Sequence, residues 1–219
     1  MRNCLFICAL AFIIPAHANL INNGSFESPT VPEGGFTDFL SGSTSINGWT
    51  VVGPEASIVS ATFSFECCVF PAEDGARWLD LTGDGSDTVE GVQQIVATIP
   101  GTEYTLSFWV GNVFDPGGIF GITSSVDVRL GGTSGTSLGV FTNASTTRGT
   151  QVWQQFVTSF TATGSSATLD FLNADPNGDN SNGLDNVVLT ASTTDVPEPC
   201  TLSLMVLAII GAGLMRRHH

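Results

Sequence analysis

Trp109 stands in the run Tyr104-Thr105-Leu106-Ser107-Phe108-Trp109-Val110. Leu106, Phe108 and Val110 share one face of this alternating run, so Trp109 falls on the other, beside Ser107 and Thr105. An outward tryptophan among small polar side chains is a platform for sugar: the CH face of the ring stacks, and neighbouring groups bond the hydroxyls. Asp127 and Arg129 alternate with Val126, Val128 and Leu130, and so also point away from a core. Trp153 opens a further run, in phase with Gln155. Trp109, Asp127, Arg129 and Trp153 are therefore the candidate glycan-binding residues. The same spacing also describes tryptophans packed at a sheet rim or covered by a loop. Trp49 and Trp78 read as core or corner residues.

Other chemistry is excluded or undetermined. The only histidines are His17, His218 and His219, all in terminal segments that read as removable. The region between them has none, which rules out Ser-His-Asp and Cys-His catalysis and His-ligated zinc. A pair of carboxylates could hydrolyse a glycoside. All 20 acidic residues lie between Glu27 and Glu198, however, and no pair stands out among so many. They face only Arg77, Arg129 and Arg148, and the chain has no lysine. That balance argues against nucleic acid and anionic membrane surfaces as partners, and suits a secreted protein that stays soluble or binds cations. Asp175-Pro176-Asn177-Gly178-Asp179-Asn180-Ser181 repeats oxygen-bearing side chains at every second residue, as calcium loops do. Asn180 takes the place of the required glycine and no glutamate closes the loop, so a solvated turn is the better reading. Cys67 and Cys68 are adjacent. They could form a vicinal disulfide, bridge two chains or remain free.

The elements that must hold these residues are strands. Helical periodicity is absent outside the two terminal apolar segments. Period-two alternation recurs in Tyr104–Val110, Val126–Leu130, Ala167–Phe171 and Asp185–Leu189, with Gly, Asn, Asp and Ser between the runs. Further strands are expected at Trp49–Val52, Ala76–Leu81, Val92–Thr98 and Gln154–Ala162. Loops are expected at Gly111–Gly121, Gly131–Gly139 and Asn173–Gly183. The prediction is an all-β antiparallel sandwich of about eight to ten strands, a jelly roll, filling residues 19–193 as one domain.

The ends read as sorting signals. Met1-Arg2-Asn3, the apolar stretch Cys4–Ile14 and Ala16-His17-Ala18 make a signal peptide over residues 1–18, with cleavage after Ala18. Residues 194–219 hold Val196-Pro197-Glu198-Pro199, an uncharged run over 201–215, and a basic end beginning with Arg216 and Arg217. The run covers roughly 22 Å as a helix, short of the ~30 Å apolar core of a bilayer, so it fits a transient anchor. Arg216 and Arg217 would stay cytoplasmic. This arrangement resembles the PEP-CTERM sorting signal of Gram-negative bacteria. The resemblance implies processing by an exosortase-type membrane enzyme, transient residence in the inner membrane, and export to the cell surface or extracellular matrix.

The domain resembles a family too. Asn22-Asn23-Gly24-Ser25-Phe26-Glu27-Ser28-Pro29 opens it, and Ile46-Asn47-Gly48-Trp49 follows. Then come Asp74-Gly75, Leu79-Asp80-Leu81-Thr82-Gly83, Gly91-Val92-Gln93-Gln94, Pro100-Gly101 with Tyr104–Phe108, Phe160-Thr161-Ala162 and Leu184-Asp185-Asn186-Val187. In this order they resemble the DUF642-type, choice-of-anchor C family of galactose-binding-like jelly rolls, and the opening and closing motifs of several carbohydrate-binding modules. The segment Phe63–Phe70 with its cysteine pair departs from the family pattern, and Gln93-Gln94 leaves two candidates for one position. The resemblance implies a structural calcium ion shared by Glu27 and Asp185, with carbonyl oxygens near Asn22 completing the shell. Asp185 is in phase with Val187 and Leu189, so its side chain is expected to lean coreward, where a carboxylate needs a partner. The functional expectation is a non-catalytic protein that binds extracellular polysaccharide. The alternatives are a structural matrix protein without a discrete ligand site and, less favoured, a carboxylate hydrolase.

Overall fold

The structure is a computed structural model that describes residues 18–84, 89–176 and 180–192. The sorting residues Val196, Pro197, Glu198, Pro199, Arg216 and Arg217, the apolar run before the arginines, and residues 1–17 lie outside the described residues. So do Asn177, Gly178 and Asp179 of the acidic loop.

The described residues form an antiparallel β-sandwich of jelly-roll type, with thirteen strands. One sheet contains β1 (Phe36–Leu40), β3 (Glu55–Ser60), β6 (Arg77–Asp80), β13 (Gly183–Ala191), β8 (Glu103–Asn112) and β11 (Val152–Thr161), in that order. The other contains β10 (Thr136–Asn143), β9 (Ser124–Leu130), β12 (Ser166–Asn173), β7 (Gly91–Ala97) and β2 (Thr50–Val52). A small hairpin, β4 (Ser64–Phe65) and β5 (Cys68–Val69), stands apart from both.

Alternation along the strands builds the core. Leu106, Phe108 and Val110 of β8 meet Val126 and Val128 of β9 and Leu169 and Phe171 of β12, all buried in one cluster. Trp49 joins it and makes ring contacts with Phe26 and Phe171. Trp78 is equally buried but belongs to a second cluster, with Val59, Phe70, Val113 and Phe120. Val59 and Trp78 are register partners on β3 and β6, one step along from the coreward pair Ile58 and Leu79. The second cluster therefore lies on the outer face of the six-stranded sheet, under the segment that departs from the family pattern.

The sequence reading missed five strands, for physical reasons. In β3 five consecutive residues are buried, because both faces of the strand are covered, so no alternation shows. The strand β10 begins inside the expected Gly131–Gly139 loop, and a register shift between Ser137 and Gly139 breaks its period. β1 lies at the sheet edge, and the hairpin strands β4 and β5 are two residues each.

The opening and closing motifs meet. Val187 N donates to Gly24 O at 2.9 Å. Asn22 N donates to Gln94 Oε1 at 2.8 Å, and Gln94 Nε2 donates back to Asn22 O at 3.0 Å. Gln94, not Gln93, is thus the glutamine that holds the opening motif. Asn23 O accepts from Trp49 Nε1 at 3.1 Å.

Candidate functional site

The outer face of the six-stranded sheet carries an aromatic cleft. Its floor begins with the row Phe36, Val59 and Trp78, which are register partners across β1, β3 and β6. The adjoining row, Asp38, Ser57 and Asp80, is polar. The chain between β3 and β6 folds back over this floor. Phe70 N donates to Phe63 O at 3.1 Å, closing the hairpin, and Trp78 Nε1 donates to Phe70 O at 3.1 Å, fastening it to the sheet. On its other side, Val69 N donates to Gly149 O and Gln151 N to Val69 O. Phe70 stacks on Trp78 with centroids 6.2 Å apart, Phe63 lies parallel to Phe65, and Phe120 meets Phe70 edge-on at 5.0 Å.

What remains open is a cleft of about 220 Å³. Its walls are Phe36, Phe63, Phe65, Phe70, Trp78 and Phe120, and its polar groups are Ser57, Asp80, Asp84 and Asn180. Phe36 and Phe65 stay 37% and 48% exposed, so their rings remain available at the mouth. Asp80 is 8% exposed. Its Oδ1 accepts from Thr82 N, Thr82 Oγ1 and Asn182 N, and none of these bonds ends on Oδ2. Burial pushes the Asp80 carboxyl up to about 6, against the pull of those donors and with some help from the charge of Asp38. Burial and the charge of Asp38 also raise Glu55. Asp38 in turn accepts a short hydrogen bond from Ser57 Oγ.

Cys67 and Cys68 are joined to each other at the turn of the hairpin, with Cys67 exposed and Cys68 buried. A bond between neighbours closes almost no loop, so it contributes little to global stability, about 1 kcal/mol at most. Reduction is therefore expected to move the melting temperature by no more than about 4 °C. A much larger drop in a thermal melt with reductant would show that the fold depends on this turn.

The four candidate glycan residues do not form one site. Trp109 and Trp153 are on the outer face of the six-stranded sheet, whereas Asp127 and Arg129 are on the outer face of the other sheet, with the whole core between them. Trp153 is committed to packing. It crosses Gly111 and Gly183, where an added Cβ would come within 2.9 Å of its ring, and donates Nε1–H to Pro71 O at 2.9 Å. It also meets Trp78 edge-on at 6.0 Å. Asp127 and Arg129 are committed to each other, Nε to Oδ2 at 2.7 Å. Arg129 Nη1 also donates to Thr133 O, and Ser137 Oγ donates to Asp127 Oδ1. Trp109 is half-buried, between Gln155 and Asp185 in register.

Glu27 and Asp185 come to one loop from two sides. Asp185 Oδ2 accepts from Glu73 N and Asp74 N, and its Oδ1 from Asn186 N. Glu27 Oε1 accepts from Ala76 N and Arg77 N, and its Oε2 from Arg77 Nη1 at 2.9 Å. Asp185 does not lean coreward as expected. A bulge between Asp185 and Val188, with Asn186 at φ 46°, breaks the phase. Leu184 pairs with Val110 in the core, and Asp185 shares the outer face with Trp109. The hydrogen-bond donors to both carboxylates are backbone N–H groups and the Arg77 guanidinium, and Asn22 O accepts from Gln94 Nε2. These residues do not fit a shared calcium ion, and among the described residues no group of three or more His, Cys, Asp or Glu is placed to hold a metal. Burial pushes the Asp185 carboxyl up to about 8, opposed by the three backbone donors and aided by the charge of Glu73.

The sequence reading missed the cleft because its parts carry no motif. A signal was present: Phe63, Phe65 and Phe70 crowd one short stretch around the cysteine pair.

Among solved structures, the chain is similar to TmCBM61 in complex with beta-1,4-galactotriose: identity is 13% over 80% of this chain and 99% of that one, with a TM-score of 0.46. It is similar to a xylan-binding domain from CBM 22 at 17% identity, over 75% of this chain and 100% of that one, with a TM-score of 0.46. It is also similar to the MgGH51 α-L-arabinofuranosidase at 13% identity, with a TM-score of 0.49, over 81% of this chain but only 27% of the enzyme. No curated protein sequence matches. The family described as "Protein of unknown function (DUF642)" matches residues 19–189.

Proposed function

Since the chain belongs to the DUF642 family, whose description assigns no activity, we propose from its geometry that it is a non-catalytic carbohydrate-binding protein that takes glycan in the aromatic cleft. The observation that carries this reading is the cleft itself. It is concave, walled by six aromatic rings and supplied with a few polar groups. Apolar faces stack on the CH faces of sugar rings, while Asp80, Asp84, Ser57 and Asn180 offer oxygen and nitrogen atoms to hydroxyls. Trp109 offers one half-buried ring and no comparable concavity. The terminal segments support export, processing by an exosortase-type enzyme and a place among extracellular polysaccharides, on the strength of their sequence pattern.

The test is a binding screen of the full chain in mild detergent against a polysaccharide panel that includes the host's own extracellular polymer. Phe65→Ala is expected to weaken a saturable hit by about tenfold or more, and Trp109→Ala to leave it within about twofold. The reverse pattern would move the site to Trp109. No saturable binding by folded chain would favour the structural matrix protein instead.

A further inference from the structure

The cleft combines two features that together favour a cation. Its walls are the π faces and edges of Phe and Trp rings. Its polar side is acidic: Asp80 and Asp84 line it, Asp38 is bonded to the lining residue Ser57, and Glu55 lies over the lining residue Gly83. No arginine lines it, and the chain has no lysine to do so. The described arginines are engaged elsewhere, Arg77 with Glu27, Arg129 with Asp127, and Arg148 over the ring of Phe114 at 5.2 Å. The Asp80 side chain is more than nine-tenths buried in this wall, and its hydrogen bonds from Thr82 and Asn182 all end on Oδ1.

Resting on the carbohydrate reading, we infer that the cleft selects sugars carrying a free ammonium group, that is, de-N-acetylated hexosamines. An ammonium held between aromatic faces gains from their quadrupoles. The same group pairs a carboxylate that burial would otherwise leave without an opposite charge. A uronic or sulfated sugar would meet like charge on the polar side. An N-acetylated sugar presents a neutral amide and forgoes both gains.

Titration calorimetry of the full chain in mild detergent near neutral pH tests this with three probes: a glucosamine tetramer, the N-acetylglucosamine tetramer of the same linkage, and cellotetraose. The expected result is binding of the glucosamine tetramer at least about tenfold tighter than either of the others. Asp80→Asn should remove that preference, bringing the glucosamine tetramer to within about twofold of the N-acetylglucosamine tetramer. Asp84→Asn, at an exposed position, should reduce the preference even if the Asp80 variant fails to fold. Equal binding of the three, or preference for the acetylated or neutral tetramer with binding still lost in Phe65→Ala, would overturn the inference and leave the carbohydrate reading standing. The same holds if another polysaccharide alone is held in the cleft. Absence of binding to every carbohydrate would overturn both.

Discussion

Gly24→Ala is expected to cost about 3 kcal/mol or more of stability. An alanine Cβ at this position would lie 2.1 Å from the backbone oxygen of Val187, closer than any relaxed contact. The obstacle is backbone in the middle of β13, so it cannot turn aside as a side chain would. Relief requires the opening motif to lift away, which also breaks the hydrogen bond from Val187 N to Gly24 O and loosens Asn22 from Gln94. Gly42→Ala is the control. It has φ 77° but nothing within 4 Å of an added Cβ, so it carries only the cost of a left-handed backbone, about 1 kcal/mol. Urea unfolding of both variants separates the two effects. Equal midpoints would show that the two ends of the domain are not clasped at Gly24.

This clasp explains what was legible in the sequence. The motifs that resemble the family are the ones that join distant parts of the chain. Gly24 admits the carbonyl of Val187, Gln94 holds Asn22, and Glu27 and Asp185 hold the two halves of the 73–77 loop. Such contacts need particular residues at particular places, and so leave a readable pattern. The alternating strands were legible because one face of each is buried in the core. The cleft was not, because it uses the second face of the sheet. β3 lost its period there, and Trp78 looked like a core residue because it is one, only of another cluster. Asp127 and Arg129 were read correctly as outward-facing, but period two gives a direction relative to one strand. It does not say which sheet the strand joins, and that alone separates them from Trp109.

The last expectation concerns pH, and it decides between hydrogen bonds and calcium at Asp185. Four buried or partly buried carboxyls are shifted upward: Asp185 to about 8, Asp80 to about 6, and Glu55 and Asp170 in the same direction. Burial is the leading cause in each. A group whose folded pKa exceeds its unfolded one keeps its proton in the folded state after the unfolded chain has released it. Its contribution is therefore fully present below the unfolded value of 3.8 for the aspartates and is lost as pH rises through about 6 and about 8. Stability should fall across that window by an amount on the order of several kcal/mol. Asp185→Asn should remove the upper limb, between about 6 and about 8, because an amide has no proton to lose there. A calcium ion shared by Glu27 and Asp185 gives the opposite slope. Ionisation would then complete the site, so stability would rise with pH in added calcium and fall on chelation. Thermal melts across this pH range, each with calcium and with EDTA, are expected to show a falling curve that the two additions leave superimposed. A rising curve that only calcium supports would place the ion at this loop, and would require the Arg77 guanidinium to swing away from Glu27 to admit it.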